Sequence, residues 1–370
     1  MPRPRREAAS RAAESSSATE VDADLARQFA SLVVAWQREH GRHGLPWQRT
    51  RDPYRVWLSE IMLQQTQVST VLAYYARFLE RYPDVPALAA APLDDVLTAW
   101  AGLGYYSRAR NLHRCAQAVV AVHGGSFPTS AAQLAELPGI GRSTAAAIAS
   151  FCFGERAAIL DGNVKRVLSR TLGFGDDLAE TRHERRLWSL AEAVLPQQGD
   201  DMPAYTQGLM DLGATVCLAR KPTCLLCPVQ ALCAAQREGS PERYPVKTRK
   251  LKRSRREHWW LWLEWQDQVW LQQRPATGVW AGLWVLPLFD DEAQLQAAAQ
   301  GLGSTPEPQP QIEHALTHFD WVLHPRRARL AALPAADGGS GVLGEGRWVA
   351  RDQLGGVALP SPLRKLLLGA

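Results

Sequence analysis

Leu137-Pro-Gly-Ile-Gly-Arg142 is the stretch on which the reading of this sequence turns. It lies between two segments whose apolar residues recur at helical spacing, Ser130–Leu137 and Arg142–Phe153. Gly139 and Gly141 allow a tight turn and the close approach of another backbone. The helix beginning near Arg142 offers unpaired backbone N–H groups at the positive end of its dipole. Together these make an anion site suited to a DNA phosphate, one that carries no sequence readout. Taken alone, the same residues also describe a plain connection between two helices.

Outward from the hairpin the pattern stays helical, from Asp22 to about Ala235. Pro53–Tyr82 reads as one long segment opened by proline, and Leu93–Ala101, Tyr106–His123 and Glu184–Leu195 follow the same period. Composition then changes abruptly. In Val246–Arg256 seven of eleven residues are Lys or Arg, which reads as an exposed linker. Beyond it, His258–Trp265 and Val269–Arg274 alternate as strands do, and nine of the fourteen tryptophans lie past residue 258. Gln294–Gly301 reads as a helix and Phe319–Leu330 as a further strand. The expected fold class is a mainly α N-terminal domain followed by a smaller α+β domain. The expected boundaries are a disordered basic tail at 1–24, a helical domain at 25–235, a basic linker at 236–257 and the second domain at 258–370.

A chain of 370 residues suits two to three domains and a sizeable core. The net charge of +5 permits a polyanionic partner without requiring one. No apolar run approaches the roughly 18 residues of a membrane span, and the first residues lack the apolar core of a secretory signal. Residues 1–24 are rich in Arg, Ala and Ser, as transit peptides are, but Glu7 and Glu14 favour a disordered tail.

Six cysteines are present, and Cys115 and Cys152 stand alone in helical stretches as small buried hydrophobes. The other four form the run Cys217-x6-Cys224-x2-Cys227-x5-Cys233. Without a secretory signal, such a cluster reads as metal ligation before disulfides. Four thiolates on a short loop can hold a cubane iron–sulfur cluster or a structural zinc. Zinc sites usually come as two tight pairs; only one pair is tight here, which tilts the reading toward the cluster. Arg220 and Lys221 sit in the widest gap, so a metal would hold a basic loop rigid.

Two carboxylates have unusual settings. Glu60 stands mid-helix with Val56, Trp57 and Ile61 as helical neighbours, on the border of an apolar face. Partial desolvation there raises a carboxyl pKa and suits a general acid. Asp161 follows the apolar run Ile159-Leu160 and precedes a new helix, the setting of an ordinary N-cap.

Leu45-Pro-Trp-Gln48, Trp57–Gln67, Gly102-Leu-Gly-Tyr-Tyr106, the glycine hairpin, Leu160-Asp-Gly-Asn163 and the four-cysteine loop occur in this order. The set resembles the helix-hairpin-helix DNA glycosylases, and within them the adenine glycosylases, over roughly residues 25–370. The resemblance implies that Glu60 is the acid that protonates adenine N7 and that Asp161 stabilises the oxocarbenium-like sugar, the divided roles of glycoside cleavage. It implies that Asn163 orients the catalytic site and that Gln48 and Gln207 line the adenine pocket. It makes Leu63, Gln65 and Tyr105 DNA-contacting residues, the last two filling the stack beside an extruded base. Gly139, Gly141 and Ser143 fall among the DNA contacts of the hairpin. Relatives that also cut the strand carry a lysine at position 143; Ser143 cannot form an imine, so a monofunctional glycosylase is expected.

Residues 258–370 resemble the Nudix-like C-terminal domain of this family, without the acid-rich helix that would hold Mg²⁺. Its lesion-reading loop, normally Phe-Ser-His, is here Leu316-Thr-His318, flanked by His314 and Phe319. Thr317 keeps a hydroxyl for the oxidised purine and His318 is retained, whereas Leu316 loses the aromatic wedge. The resemblance further implies one 4Fe-4S cluster per chain on Cys217, Cys224, Cys227 and Cys233. The expected partner is double-stranded DNA with adenine opposite 8-oxoguanine or guanine, bound by a monomer. The expected setting is a bacterial cytoplasm, on the nucleoid, with no membrane. Two alternatives are a pyrimidine-lesion glycosylase with lyase activity, opposed by Ser143, and a non-catalytic damage-binding module, opposed by the pairing of Glu60 with Asp161.

Overall fold

The computed structural model describes residues 21–248, 252–333 and 344–369. The tail expected over 1–24 therefore lies outside the described residues up to position 20, and the first helix is Ala23–His40. No helix among the described residues is long and apolar enough to cross a membrane.

The helical part has a core built on three helices. Phe29, Val33 and Val34 of Ala23–His40 pack with Tyr205, Leu209 and Leu212 of Met202–Thr215 and with Val164, Val167 and Leu168 of Gly162–Thr171. The last two helices approach closely because Gly213 has no side chain: a Cβ there would meet Asn163 Cβ at 2.6 Å. A second core gathers Trp57, Leu58 and Met62 with Phe78, Trp100 and Leu112.

Pro53–Tyr82, expected as one helix, is two: Pro53–Leu63 and Val68–Arg81. The break is held from outside. Arg108 is buried, and its Nη1 donates to the carbonyls of Ile61 (2.9 Å) and Met62 (2.8 Å) at the end of the first helix. Its Nη2 donates to Thr66 Oγ1 and to the carbonyls of Leu103 and Gly104, each at 3.1 Å. A guanidinium thus replaces the backbone donors that a continuing helix would have supplied.

The segment expected as a linker, 236–257, begins on the helical body. Leu178 N donates to Val246 O at 3.0 Å, Arg170 Nε to Tyr244 O at 3.2 Å, and Thr248 N to Asp177 Oδ1 at 3.2 Å. The segment ends inside a strand, Ser254–Trp265.

That strand is central to an eight-stranded mixed sheet among the described residues. It runs parallel to Phe319–Arg329, from Ser254↔Phe319 to Glu264↔Arg329, and antiparallel to Gln268–Gln273. The helix Glu292–Gly301 lays Leu295 and Ala299 on Leu261, Leu263 and Ala328. Ile312–Ala315 pairs antiparallel with Phe319–Arg329, and Leu316 N donates to Phe319 O at 2.9 Å. Thr317 and His318 are therefore the exposed tip of a hairpin, while Leu316 packs against the core.

The two domains are clasped. Asp94 accepts from Trp284 Nε1 (3.1 Å) and Gln273 Nε2 (3.2 Å), Arg110 Nη1 donates to Ala281 O at 2.7 Å, and Tyr106 Oη to Leu359 O at 3.2 Å. The second helical core continues across this seam to Trp260, Trp280 and Trp321.

Candidate active site

Glu60 rides on a helix started by Asp52, whose Oδ1 accepts from Tyr54 N at 2.9 Å, with Pro53 in the first turn. The flanking Val56, Trp57, Leu58, Ile61 and Met62 are buried and fix the helix in the core. Glu60 itself faces a cavity of about 310 Å³, lined also by Arg42, Trp47, Gln48, Phe151 and Gln207. Burial, and then the charge of Asp161, push its carboxyl up to about 8. At neutral pH Glu60 therefore carries a proton into the cavity.

Asp161 is outside the cavity lining but within electrostatic reach of Glu60. It caps the helix Gly162–Thr171: Oδ1 accepts from Asn163 N at 2.7 Å and Val164 N at 2.8 Å. The cap reading and the chemical reading of Asp161 are compatible, because capping occupies one oxygen. Ser143 Oγ accepts from Leu160 N at 3.0 Å, so position 143 braces the backbone that carries Asp161. Asn163 Oδ1 accepts from Arg166 Nη2 at 2.8 Å.

The Asp161-capped helix also reaches the cysteine loop. Arg166 Nε donates to Cys217 O at 2.7 Å. Arg170, buried, donates to Leu218 O (2.6 Å), Ala219 O (3.0 Å) and Cys217 Sγ (3.3 Å). Cys217, Cys224, Cys227 and Cys233 line one cavity with Val167, Leu212 and Val216. Burial, followed by repulsion from the other three sulfurs, pushes Cys227 up to about 12; burial raises Cys233 as well. Among the described residues, no set of three or more His, Cys, Asp or Glu side chains is arranged to hold one metal ion.

In the hairpin, Gly139 is left-handed (φ 78°), and a Cβ there would strike Asn111 Cβ at 2.5 Å. Gly141 caps the helix Arg142–Phe153 with open space around it, room for an approaching strand. Gln65 (φ 56°) and Tyr105 (φ 49°) both have strained positive-φ backbones and exposed side chains. Both sit on the loops that Arg108 ties together. Leu63 is half-buried against the core. Tyr105 lines a second cavity, of about 350 Å³, between the domains, and Thr317 and His318 stand on its other wall with Trp280 and His314.

The structure thus brings Gln48, Glu60 and Gln207 to one cavity, keeps Asp161 within electrostatic reach of Glu60, holds Asn163 against Arg166 and Gly213 outside the cavity lining, and sets Tyr105 in one cavity with Thr317 and His318. Arg42, Arg108 and Asp211 escaped the sequence reading. Asp211 was findable by its i, i+4 spacing from Gln207 on one helix; Arg108 and Arg42 act on partners distant in sequence and gave no signal.

Comparison with known proteins follows the same division. Residues 58–193 match the family described as HhH-GPD superfamily base excision DNA repair protein, and residues 258–369 match the NUDIX domain family. The chain is 37% identical over 305 residues to an adenine DNA glycosylase of Buchnera aphidicola subsp. Acyrthosiphon pisum (strain APS), covering 82% of this chain and 87% of the relative. It is 33% identical over 343 residues to an adenine DNA glycosylase of Buchnera aphidicola subsp. Schizaphis graminum (strain Sg), covering 92% and 97%. A solved thermostable thymine-DNA glycosylase superposes with a TM-score of 0.52 at 30% identity, over 58% of this chain and 98% of that one.

Proposed function

The chain belongs to the adenine DNA glycosylase family, and from that premise we propose that it hydrolyses the N-glycosidic bond of adenine mispaired with 8-oxoguanine or guanine in double-stranded DNA. The observation that carries this reading is Glu60 on the wall of a cavity of about 310 Å³, its carboxyl pushed up to about 8 by burial and then by the charge of Asp161. An extruded adenine enters the cavity and Glu60 delivers its proton to N7, so the bond to C1′ breaks with its electron pair leaving on the base. Positive charge develops on the sugar. Two backbone N–H groups hold Asp161 through Oδ1, which leaves Oδ2 available to stabilise that charge. Water completes the hydrolysis at C1′. Ser143 offers no amine, so the strand itself stays intact.

Gln65 and Tyr105 fill the stack, and Thr317 and His318 read the oxidised purine across the inter-domain cavity. Phosphates meet the open N-terminus of the Arg142–Phe153 helix beside Gly141. Cys217, Cys224, Cys227 and Cys233 would hold a 4Fe-4S cluster: their four thiols line one cavity, and four thiolates on a short loop are the donor set such a cluster takes. When bound, the cluster supplies the positive charge that four mutually repelling sulfurs need and cross-links the loop carrying Arg220 and Lys221.

The test is to incubate the full chain with duplexes containing adenine opposite 8-oxoguanine, adenine opposite guanine, or an oxidised pyrimidine, and to score scission with and without hot alkali. Alkali-dependent scission at adenine is expected. Scission without alkali, or only at the pyrimidine, would overturn the reading.

A further inference from the structure

Asp211 is wholly buried and takes no part in the proton transfer described above. Its Oδ2 accepts from Arg42 N at 2.9 Å, its Oδ1 accepts from Arg42 Nε at 2.7 Å, and Arg42 Nη2 lies 2.6 Å from Oδ1 in the same salt bridge. The same Oδ1 accepts from Gln207 Nε2 at 2.8 Å, one turn back on the helix Met202–Thr215. A carboxylate in a salt bridge only accepts, so it must draw the amide NH₂ of Gln207 and leave Gln207 Oε1 for the cavity. Gln48 is held the opposite way. Leu45 N can only donate, takes Gln48 Oε1 at 3.2 Å, and leaves Gln48 Nε2 buried with no partner. Both glutamines line the Glu60 cavity. Which end of each amide faces the base follows from what its partner can do.

We propose that Asp211 is a positioning residue for base selection: by fixing Gln207 as an acceptor beside the donor of Gln48, it matches the cavity to a purine edge bearing an exocyclic amine next to an unprotonated ring nitrogen. This rests on the adenine-excision reading. Adenine N1 takes the Gln48 donor and its amine serves the Gln207 acceptor. A 6-oxopurine places a carbonyl against Gln207 Oε1 and a ring N–H against Gln48 Nε2, leaving buried groups unpaired, which is how polar sites reject close analogues.

Asp211→Asn offers one oxygen, drawn to Arg42, and one NH₂, toward which Gln207 can turn its carbonyl. Single-turnover excision should be measured on duplexes with adenine or hypoxanthine opposite 8-oxoguanine, for wild type, Asp211→Asn, Gln207→Ala and the double variant. The adenine-to-hypoxanthine ratio should fall at least about tenfold in Asp211→Asn, and by less than about twofold when the same change is made in Gln207→Ala. An equal fall in both backgrounds, or equal slowing of both bases, would overturn the proposal. If Asp211→Asn does not fold, 6-unsubstituted purine replaces hypoxanthine in wild type and Gln207→Ala. The preference for adenine over purine must then shrink about tenfold on losing Gln207, and an unchanged preference overturns the proposal. Wild type failing on adenine itself would instead sink the excision reading.

Discussion

Asp161 loads Glu60: after burial, its charge is the second cause that lifts the Glu60 carboxyl to about 8. One residue caps a helix and the other lines a cavity, so the fold supplies the acid and its tuning charge from separate elements. The single-turnover rate should be level through neutral pH and fall about tenfold per pH unit above about 8, as Glu60 loses its proton. A rate that rises through pH 8 would remove Glu60 from the proton-donor role.

Glu60→Gln keeps the shape and removes the transferable proton. Excision should drop by at least about 10²–10⁴-fold while binding to the mispair is largely spared. Stability should move the other way. A carboxyl whose folded pKa is raised favours folding fully below the unfolded value near 4.5 and loses that contribution as pH climbs to about 8. At neutral pH the wild-type chain thus bears a cost that glutamine lacks. The variant should melt a few degrees higher at pH 7, with the gap closing near pH 4. Equal melting curves at both pH values would mean the carboxyl is not perturbed.

Asp161→Asn separates the cap from the charge. Asparagine caps about as well as aspartate, so the melting temperature should change little. Excision should fall steeply, and whatever rate remains should lose its upper limb at a lower pH, because Glu60 no longer feels the neighbouring charge. Retention of the wild-type pH profile would show that the two carboxyls are uncoupled.

Much of this site is legible in the sequence because its parts are local. Arg142–Phe153 appears at the bounds its apolar spacing predicts, and Glu60 betrays itself by apolar neighbours one turn away. The split after Leu63 is illegible: Met62, Leu63 and Val68 carry the apolar pattern across it with neither Gly nor Pro, and Arg108 reaches in from another helix to hold it open. The basic run misleads for a similar reason. Its side chains look like a solvated linker, yet Val246 and Thr248 bind the helical body through their backbones, which composition does not encode.

For the cysteine loop, purified protein should be brown, with about four irons per chain. Arg166 and Arg170 connect that loop to the helix capped by Asp161. Removing the iron, or replacing Cys227 with serine, should therefore cost excision as well as DNA affinity. Stoichiometric zinc in colourless, active protein would refute the cluster.

The division of labour between domains is best tested without cutting the chain, because the apolar core runs through the seam and truncation would expose Leu97 and Tyr106. Thr317 and His318 form a hairpin tip whose side chains hold no core together, so replacing both with alanine should leave the fold and the Glu60 cavity intact. What is removed is contact with the base opposite adenine, and a good base contact is worth about 1–3 kcal/mol of discrimination. The ratio of single-turnover rates, adenine opposite 8-oxoguanine against adenine opposite guanine, should shrink about five- to a hundredfold, with the guanine rate nearly unchanged. Leu316→Phe should be neutral or mildly favourable, since that side chain faces the core beside the same cavity. An unchanged ratio in the double variant would assign lesion reading to Tyr105 and its loop, and leave the sheet domain as a clamp.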